Sequence, residues 1–110
     1  MNAVIEQRAM NLLSMAARGR RIVSGAFVAE EALKRKQGTF LLLARDASEE
    51  TKTKFTRMAA QMRVPAAELL TMQQLGHCLG KEYRAVAVLI DRGFADRLSA
   101  YLQDIPTGVD

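Results

Sequence analysis

The sequence predicts an α/β fold, a three-layer α/β/α sandwich around a small sheet, on three observations. Segments whose apolar residues recur at spacings of three and four alternate along the chain with short apolar runs. Two of those runs, Phe40 to Ala44 and Ala85 to Ile90, are continuously apolar, which is the pattern of strands covered on both faces. At 110 residues the chain has room for one domain with a modest core, and it contains no repeat, low-complexity tract or linker. One domain over residues 1–104 and a short frayed tail over 105–110 are expected.

Each element has a local reason. Residues 4–17 place Ile5, Met10, Leu12, Leu13, Ala16 and Ala17 on one helical face, and Gly19 is expected to stop that helix. Ile22-Val23 reads as a short strand. Ser24-Gly25 then makes a turn, with Ser24 as N-cap of a helix over about 26–36. The basic end of that helix, Lys34-Arg35-Lys36, suits a helix C-terminus, and Gly38 is its expected cap. After the strand at Phe40 to Ala44, the acidic stretch Asp46 to Glu50 opens a helix reaching about Gln61, with Phe55, Met58, Ala59 and Met62 as its apolar positions. Pro65 ends that region, Ala67 to Leu70 gives a weak strand, and Thr71 caps a short helix from Met72 to about Leu79. The strand Ala85 to Ile90 turns at Asp91-Arg92-Gly93 into a final helix, Phe94 to Leu102.

Composition narrows the function classes. Hydrophobic residues at 49% and charged residues at 25% are ordinary for a globular protein and argue against disorder. The net charge of +4 suits a polyanionic partner, without being specific for one. No apolar run approaches the ~20 residues of a membrane span, and Met1 to Arg8 lacks the apolar core of a signal peptide. The lone Cys78 cannot form an internal disulfide, which fits a reducing cytoplasm.

Catalytic and metal chemistry lack a constellation. His77 adjoins Cys78, but neighbours on a helix point about 100° apart, and with no second His or Cys a transition-metal site has too few soft ligands. A partly exposed His beside a buried Cys is the expected arrangement. Glu30-Glu31 diverge in the same way and read as a solvated face, while Glu49-Glu50 read as first-turn acids favouring the helix dipole. The glycines assemble into neither GxGxxG nor a phosphate-binding loop. The chain is therefore not expected to be an enzyme, nor to carry a metal or cofactor.

Three segments together resemble a known family. Ile22-Val23-Ser24-Gly25 runs into a helix and then the strand Phe40 to Ala44 with Asp46-Ala47-Ser48; Leu75-Gly76-His77-Cys78-Leu79-Gly80-Lys81-Glu82 follows; Asp91-Arg92-Gly93-Phe94-Ala95 closes the last strand. In this order and at these separations they resemble the bacterial YlxQ family, a branch of the kink-turn-binding ribosomal-protein superfamily. The resemblance covers roughly residues 9–103.

It implies an α/β/α sandwich with a mixed four-stranded sheet in the order 1-4-2-3. It also implies a protein that binds structured RNA, ribosomal or other non-coding. Ribosome-associated proteins are candidate further partners, no membrane and no DNA are expected, and the cytoplasmic location expected from Cys78 is compatible with this. The implied RNA site has two parts. One is the turn and second helix, with Ser24, Gly25, Ala26, Phe27, Val28, Glu31 and Lys34; the other is the loop Gly80, Lys81, Glu82, Tyr83 and Arg84. Helix-end N–H groups face phosphate or base-edge acceptors, Arg20, Arg21, Lys81 and Arg84 lie near as cations, and Tyr83 offers a stacking face.

The sequence also departs from that superfamily. Kink-turn binders follow the turn glycine with a polar Asn-Glu pair and, three residues on, a Lys, where this chain has Phe27, Val28 and Glu31. Phe and Val cannot hydrogen-bond sheared G·A pairs, and Glu31 repels phosphate. RNA binding with a specificity unlike the kink-turn norm is the first expectation. The alternative is a protein–protein interaction module on the same fold, with Phe27 and Val28 facing the core or a protein partner.

Overall fold

The computed structural model describes residues 3–103; the expected frayed tail at 105–110 lies outside the described residues. The elements run α1 (Ala3–Arg18), β1 (Ile22–Ser24), α2 (Ala26–Lys34), β2 (Phe40–Leu43), α3 (Glu49–Gln61), β3 (Ala66–Glu68), α4 (Met72–Cys78), β4 (Val86–Leu89) and α5 (Arg92–Gln103). The four strands form one mixed sheet in the order β1-β4-β2-β3, as expected. β4 runs antiparallel to both β1 and β2, whereas β2 and β3 are parallel.

Side-chain alternation along the central strands divides the core in two. Leu42, Ala87 and Leu89 face one way and pack against α1, α4 and α5, with Leu12, Leu13, Leu75 and Leu98 among the buried partners. Leu41, Leu43, Val86 and Val88 face the other way, against α2 and α3, where Leu33 and Phe55 are buried. This explains the unbroken apolar runs in β2 and β4: each strand has a helical layer on both faces.

The register fixes two ends of the sheet. Ser24 of β1, Val86 of β4, Leu43 of β2 and Glu68 of β3 lie at one end, because Ser24 pairs with Ala87, Leu43 with Val86, and Leu43 with Glu68. Helices α2, α3 and α4 all begin at that end. Ile22, Phe40 and Leu89 mark the opposite end, where α1 arrives and α5 departs.

Several boundaries differ from the sequence expectation, each for a local reason. Ser24 is not the cap of α2: it is the last residue of β1, Gly25 is the N-cap, and no side chain caps that helix. α2 stops at Lys34, and Lys36, not Gly38, takes the left-handed conformation that closes it (φ 60°). Gly38 is required for space instead, since a Cβ there would lie 2.9 Å from Val88 and 3.0 Å from Leu33. β3 sits at 66–68 rather than 67–70. Pairing with β2 ends as the Leu69 N–H donates to the Leu43 carbonyl, and Leu70 turns away with φ 69°. α5 starts two residues early because the Asp91 carboxylate accepts from the Phe94 N–H and caps it. Phe27 and Val28 do not face the core: they are 77% and 45% exposed.

Candidate nucleic-acid interface

The end of the sheet where α2 begins is assembled from three short segments. β1 delivers the Ser24 side chain to the sheet edge, and the Gly25 N–H donates to the Val86 carbonyl, fixing the turn against β4. Gly25 adopts φ 95° and ψ 151°, a conformation closed to side-chain-bearing residues at low cost. This is why glycine stands between the strand and the helix.

The first turn of α2 consists of Ala26, Phe27 and Val28, all exposed. It contains no acidic residue and no side-chain cap, so the N–H groups of these three residues are free to meet an acceptor. The other two helices that begin at this end are fully provided for. Ser48 accepts from the Thr51 N–H at the start of α3, where Glu49 and Glu50 follow. Thr71 and Gln74 form a capping box on α4, and Asp46 accepts from the Met72 N–H. Only α2 presents an unoccupied positive dipole end among the three.

The second part is the loop from Gly80 to Arg84. Its position depends on Gly76 in α4, which sequence reasoning left out of the site. A Cβ on Gly76 would lie 2.7 Å from the Glu82 carbonyl oxygen and 2.8 Å from the Tyr83 Cα, so the loop backbone rests directly on the helix. The Lys81 N–H donates to the Gly76 carbonyl at 2.8 Å, and the Arg84 N–H to the Met72 carbonyl at 3.1 Å. The LGxxLG spacing was the available signal: it carries a glycine inside a helix, where glycine needs a packing reason. Gly80 itself has φ 72° with nothing against it.

Arg84 joins the two parts. Its Nε donates to Ser24 Oγ at 3.0 Å and its Nη1 to the Tyr83 carbonyl at 2.8 Å. A guanidinium has five N–H donors, so about three remain for a ligand. Lys81, Glu82 and Tyr83 are exposed on the same loop, Tyr83 by 60%. The site thus combines backbone donors, a held guanidinium and two exposed aromatic rings.

Three of the expected residues are not gathered there. Arg20 and Arg21 lie at the other end of β1, where the Ile90 N–H donates to the Arg21 carbonyl. Lys34 is about 13 Å from Gly25 along the helix axis and is held by Glu30 at 2.9 Å. Glu31 stays with the site's helix, lining a groove with Phe27 and Val28 one turn away and pairing with Arg35 at 3.6 Å. Glu30 also takes Lys54 of α3 at 2.9 Å, and these two lysines, Lys54 first, hold its carboxyl below the ordinary value. His77 is exposed and Cys78 buried, and burial pushes the Cys78 thiol up despite hydrogen bonding with Ser14. No helix among the described residues is long and apolar enough to cross a membrane.

Comparison with known proteins agrees with this architecture. The chain is 34% identical over 91 residues to the RNA-binding protein YlxQ of Bacillus subtilis (strain 168), covering 83% of this chain and 91% of that one. It is 29% identical over 103 residues to the RNA-binding protein YlxQ of Enterococcus faecium, covering 94% and 99%. Among solved structures, a protein of unknown function from Bacillus halodurans C superposes with a TM-score of 0.83 at 30% identity, covering 87% of this chain and 97% of that one. The Giardia lamblia 15.5kD RNA binding protein shares the fold, with a TM-score of 0.77 at 19% identity and 92% of each chain covered. Residues 7–98 match the model of the ribosomal protein L7Ae/L30e/S12e/Gadd45 family, and with the YlxQ relatives this places the chain in that family, on its YlxQ branch.

Proposed function

We propose that this chain is an RNA-binding protein that grips a structured RNA between the Ser24–Gly25 turn and the Gly80–Arg84 loop. The observation that carries the reading is the Arg84–Ser24 bond, which fixes a partly committed guanidinium beside the free N–H groups of α2. Such a pair meets phosphate and base-edge acceptors with preset geometry. Both YlxQ relatives are named RNA-binding proteins, which supports the same reading. The chain acts in the cytoplasm by binding rather than catalysis, on a ribosomal or other non-coding RNA, alongside ribosome-associated proteins.

The preferred RNA is a variant internal loop rather than a standard kink-turn. Phe27 and Val28 have no hydrogen-bonding groups for sheared G·A pairs, yet the exposed Phe27 and Tyr83 rings offer faces for unpaired bases. The test is a titration of internal-loop RNAs, with and without tandem G·A pairs. Binding that requires an unpaired base and weakens with Phe27→Ala and Tyr83→Ala is expected, by about 1–3 kcal/mol per lost stack. Binding that depends on the G·A pairs and ignores both substitutions overturns this specificity.

A second reading has its own observation. Val23, Phe27, Val28, Ala32 and Ile90, together with Glu31, Arg35 and Gln37, line a groove of about 250 Å³ beside the edge strand β1. A groove with an apolar majority and a few charged side chains at a sheet edge suits a protein partner. A complex that survives nuclease and high salt and is lost with Val28→Asp would favour this reading over RNA.

A further inference from the structure

A second group of cations lies away from the site described above. At the opposite end of the sheet, Arg20, Arg21, Lys36, Arg63 and Arg92 are all exposed, and none takes part in an ion pair among the described residues. Their neighbourhood is set by backbone and cleft geometry. Lys36 and Arg63 line one cleft of about 350 Å³, and Arg63 and Arg92 line another of about 330 Å³. The two clefts share Gly38, Met62, Arg63 and Val64, so they form a continuous depression. Arg21 adjoins it through the bond from the Ile90 N–H to its carbonyl, two residues before Arg92. Of the nearby acids, Asp91 is engaged as the cap of α5, and Asp96 lines the cleft with Arg63 and Arg92.

Helix stabilisation accounts for part of this cluster and leaves the rest unexplained. Arg20, Lys36 and Arg63 follow the ends of α1, α2 and α3, where a cation favours the dipole. All three have φ of 59–60°, where glycine or asparagine is the ordinary choice, so each cation stands against backbone preference. Arg92 is the first residue of α5, and there a cation opposes the dipole. Arg21 ends no helix. An external anion explains all five.

We propose that this end is a second RNA contact, a sequence-independent seat for the phosphate backbone of a duplex, with Arg21, Lys36, Arg63 and Arg92 as its cations and Arg20 at the rim. It extends the RNA-binding reading: the first site reads an irregular element while this one holds a flanking or neighbouring helix. Open clefts bearing unpaired cations fit a convex ridge of phosphates, and such contacts release counterions whatever the sequence.

The test is a fluorescence-anisotropy titration of the full chain with a perfectly paired RNA duplex at several salt concentrations. Internal-loop RNA and phosphatidylserine vesicles run in parallel. The variant K36N/R63N/R92Q uses asparagine at the two left-handed positions so that the backbone is undisturbed. It is expected to bind duplex at least roughly tenfold more weakly, with a log–log salt slope shallower by about two to three. R21Q/R92Q, which touches no left-handed residue, should move both quantities the same way by a smaller amount, and circular dichroism checks that each variant is folded. Arg84→Gln should leave duplex binding in place while weakening the internal-loop RNA. Wild-type affinity for duplex in both multiple variants overturns the proposal, as does absence of duplex binding in the wild type. Loss of vesicle binding without loss of duplex binding assigns the surface to a membrane instead. Failure of the first site reads out separately, as internal-loop affinity indifferent to Arg84→Gln.

Discussion

The two ends of this sheet meet the same physical problem with opposite means. At the Ser24–Gly25 end three helices begin, two of them occupied by their own side chains and one left open, and the donors on offer are backbone N–H groups and a tethered guanidinium. At the Arg21–Arg92 end three helices finish, and the donors are exposed cations, three of them on left-handed turn residues. The first arrangement depends on angstrom-scale geometry and selects what can fit. The second acts through charge, is felt over the ~10 Å of a Debye length at 0.1 M salt, and is indifferent to sequence. On the proposed reading, the difference teaches that net charge is a poor guide to where this fold would recognise shape. Glu49, Glu50 and Glu82 are all exposed at the end that carries the open helix terminus and Arg84.

The comparison breaks most readily at Gly76. Gly76→Val places atoms inside the backbone of residues 82–83, and so should displace Tyr83 and Arg84 together. Internal-loop RNA affinity is expected to fall by more than roughly tenfold and stability by about 1–3 kcal/mol, read by titration and thermal melting. Duplex binding at the far end should persist while the protein is folded. Arg84→Gln comes next: removing a charged donor beside the helix end should cost about 1.5–3 kcal/mol of RNA affinity with little change in melting temperature. Gly25→Ala meets open space 4.0 Å from the Arg84 Nε, so its cost is backbone strain alone, about 1–3 kcal/mol of stability by denaturant titration. A change confined to RNA affinity would show that the turn is not strained.

The smallest effect comes from the Glu30 bridge between α2 and α3. Its carboxyl is lowered from an ordinary value of 4.5, first by Lys54 and then by Lys34. A group with a lowered folded-state pKa stabilises the protein above its unfolded value, and that contribution disappears as pH falls through the folded value. Glu30→Gln should therefore lower the melting temperature slightly at neutral pH and leave it unchanged well below pH ~4. Equal effects at both pH values would assign the loss to packing.

Much of this fold was legible from pattern. Unbroken apolar runs marked β2 and β4 because both faces of each are covered, and Thr71 announced α4 as a short polar residue before a periodic segment. The acidic stretch marked the start of α3, while Ser48 as its cap emerges only from the structure. The turn at Ser24–Gly25 was legible too, but not its chemistry. Ser24 fits the pattern of a cap, and only the return of the chain 60 residues later gives it Arg84 as a partner. Arg20 and Arg21 illustrate the opposite error: they are four and three residues from Ser24 in sequence, and an extended strand carries each of those residues about 3.3 Å further away. The far basic end was not legible because its members come from four separate connections and meet only through the sheet register.

The solitary thiol has a practical consequence. Cys78 is the single cysteine of the chain, it is buried against α1, and burial keeps it protonated at neutral pH. A cysteine introduced on the exposed surface would therefore react first with a maleimide dye, with no need to remove the native one. Tyr83→Cys and Asp96→Cys would put probes at opposite ends of the same molecule, so that energy transfer to a labelled RNA reports which end it has reached.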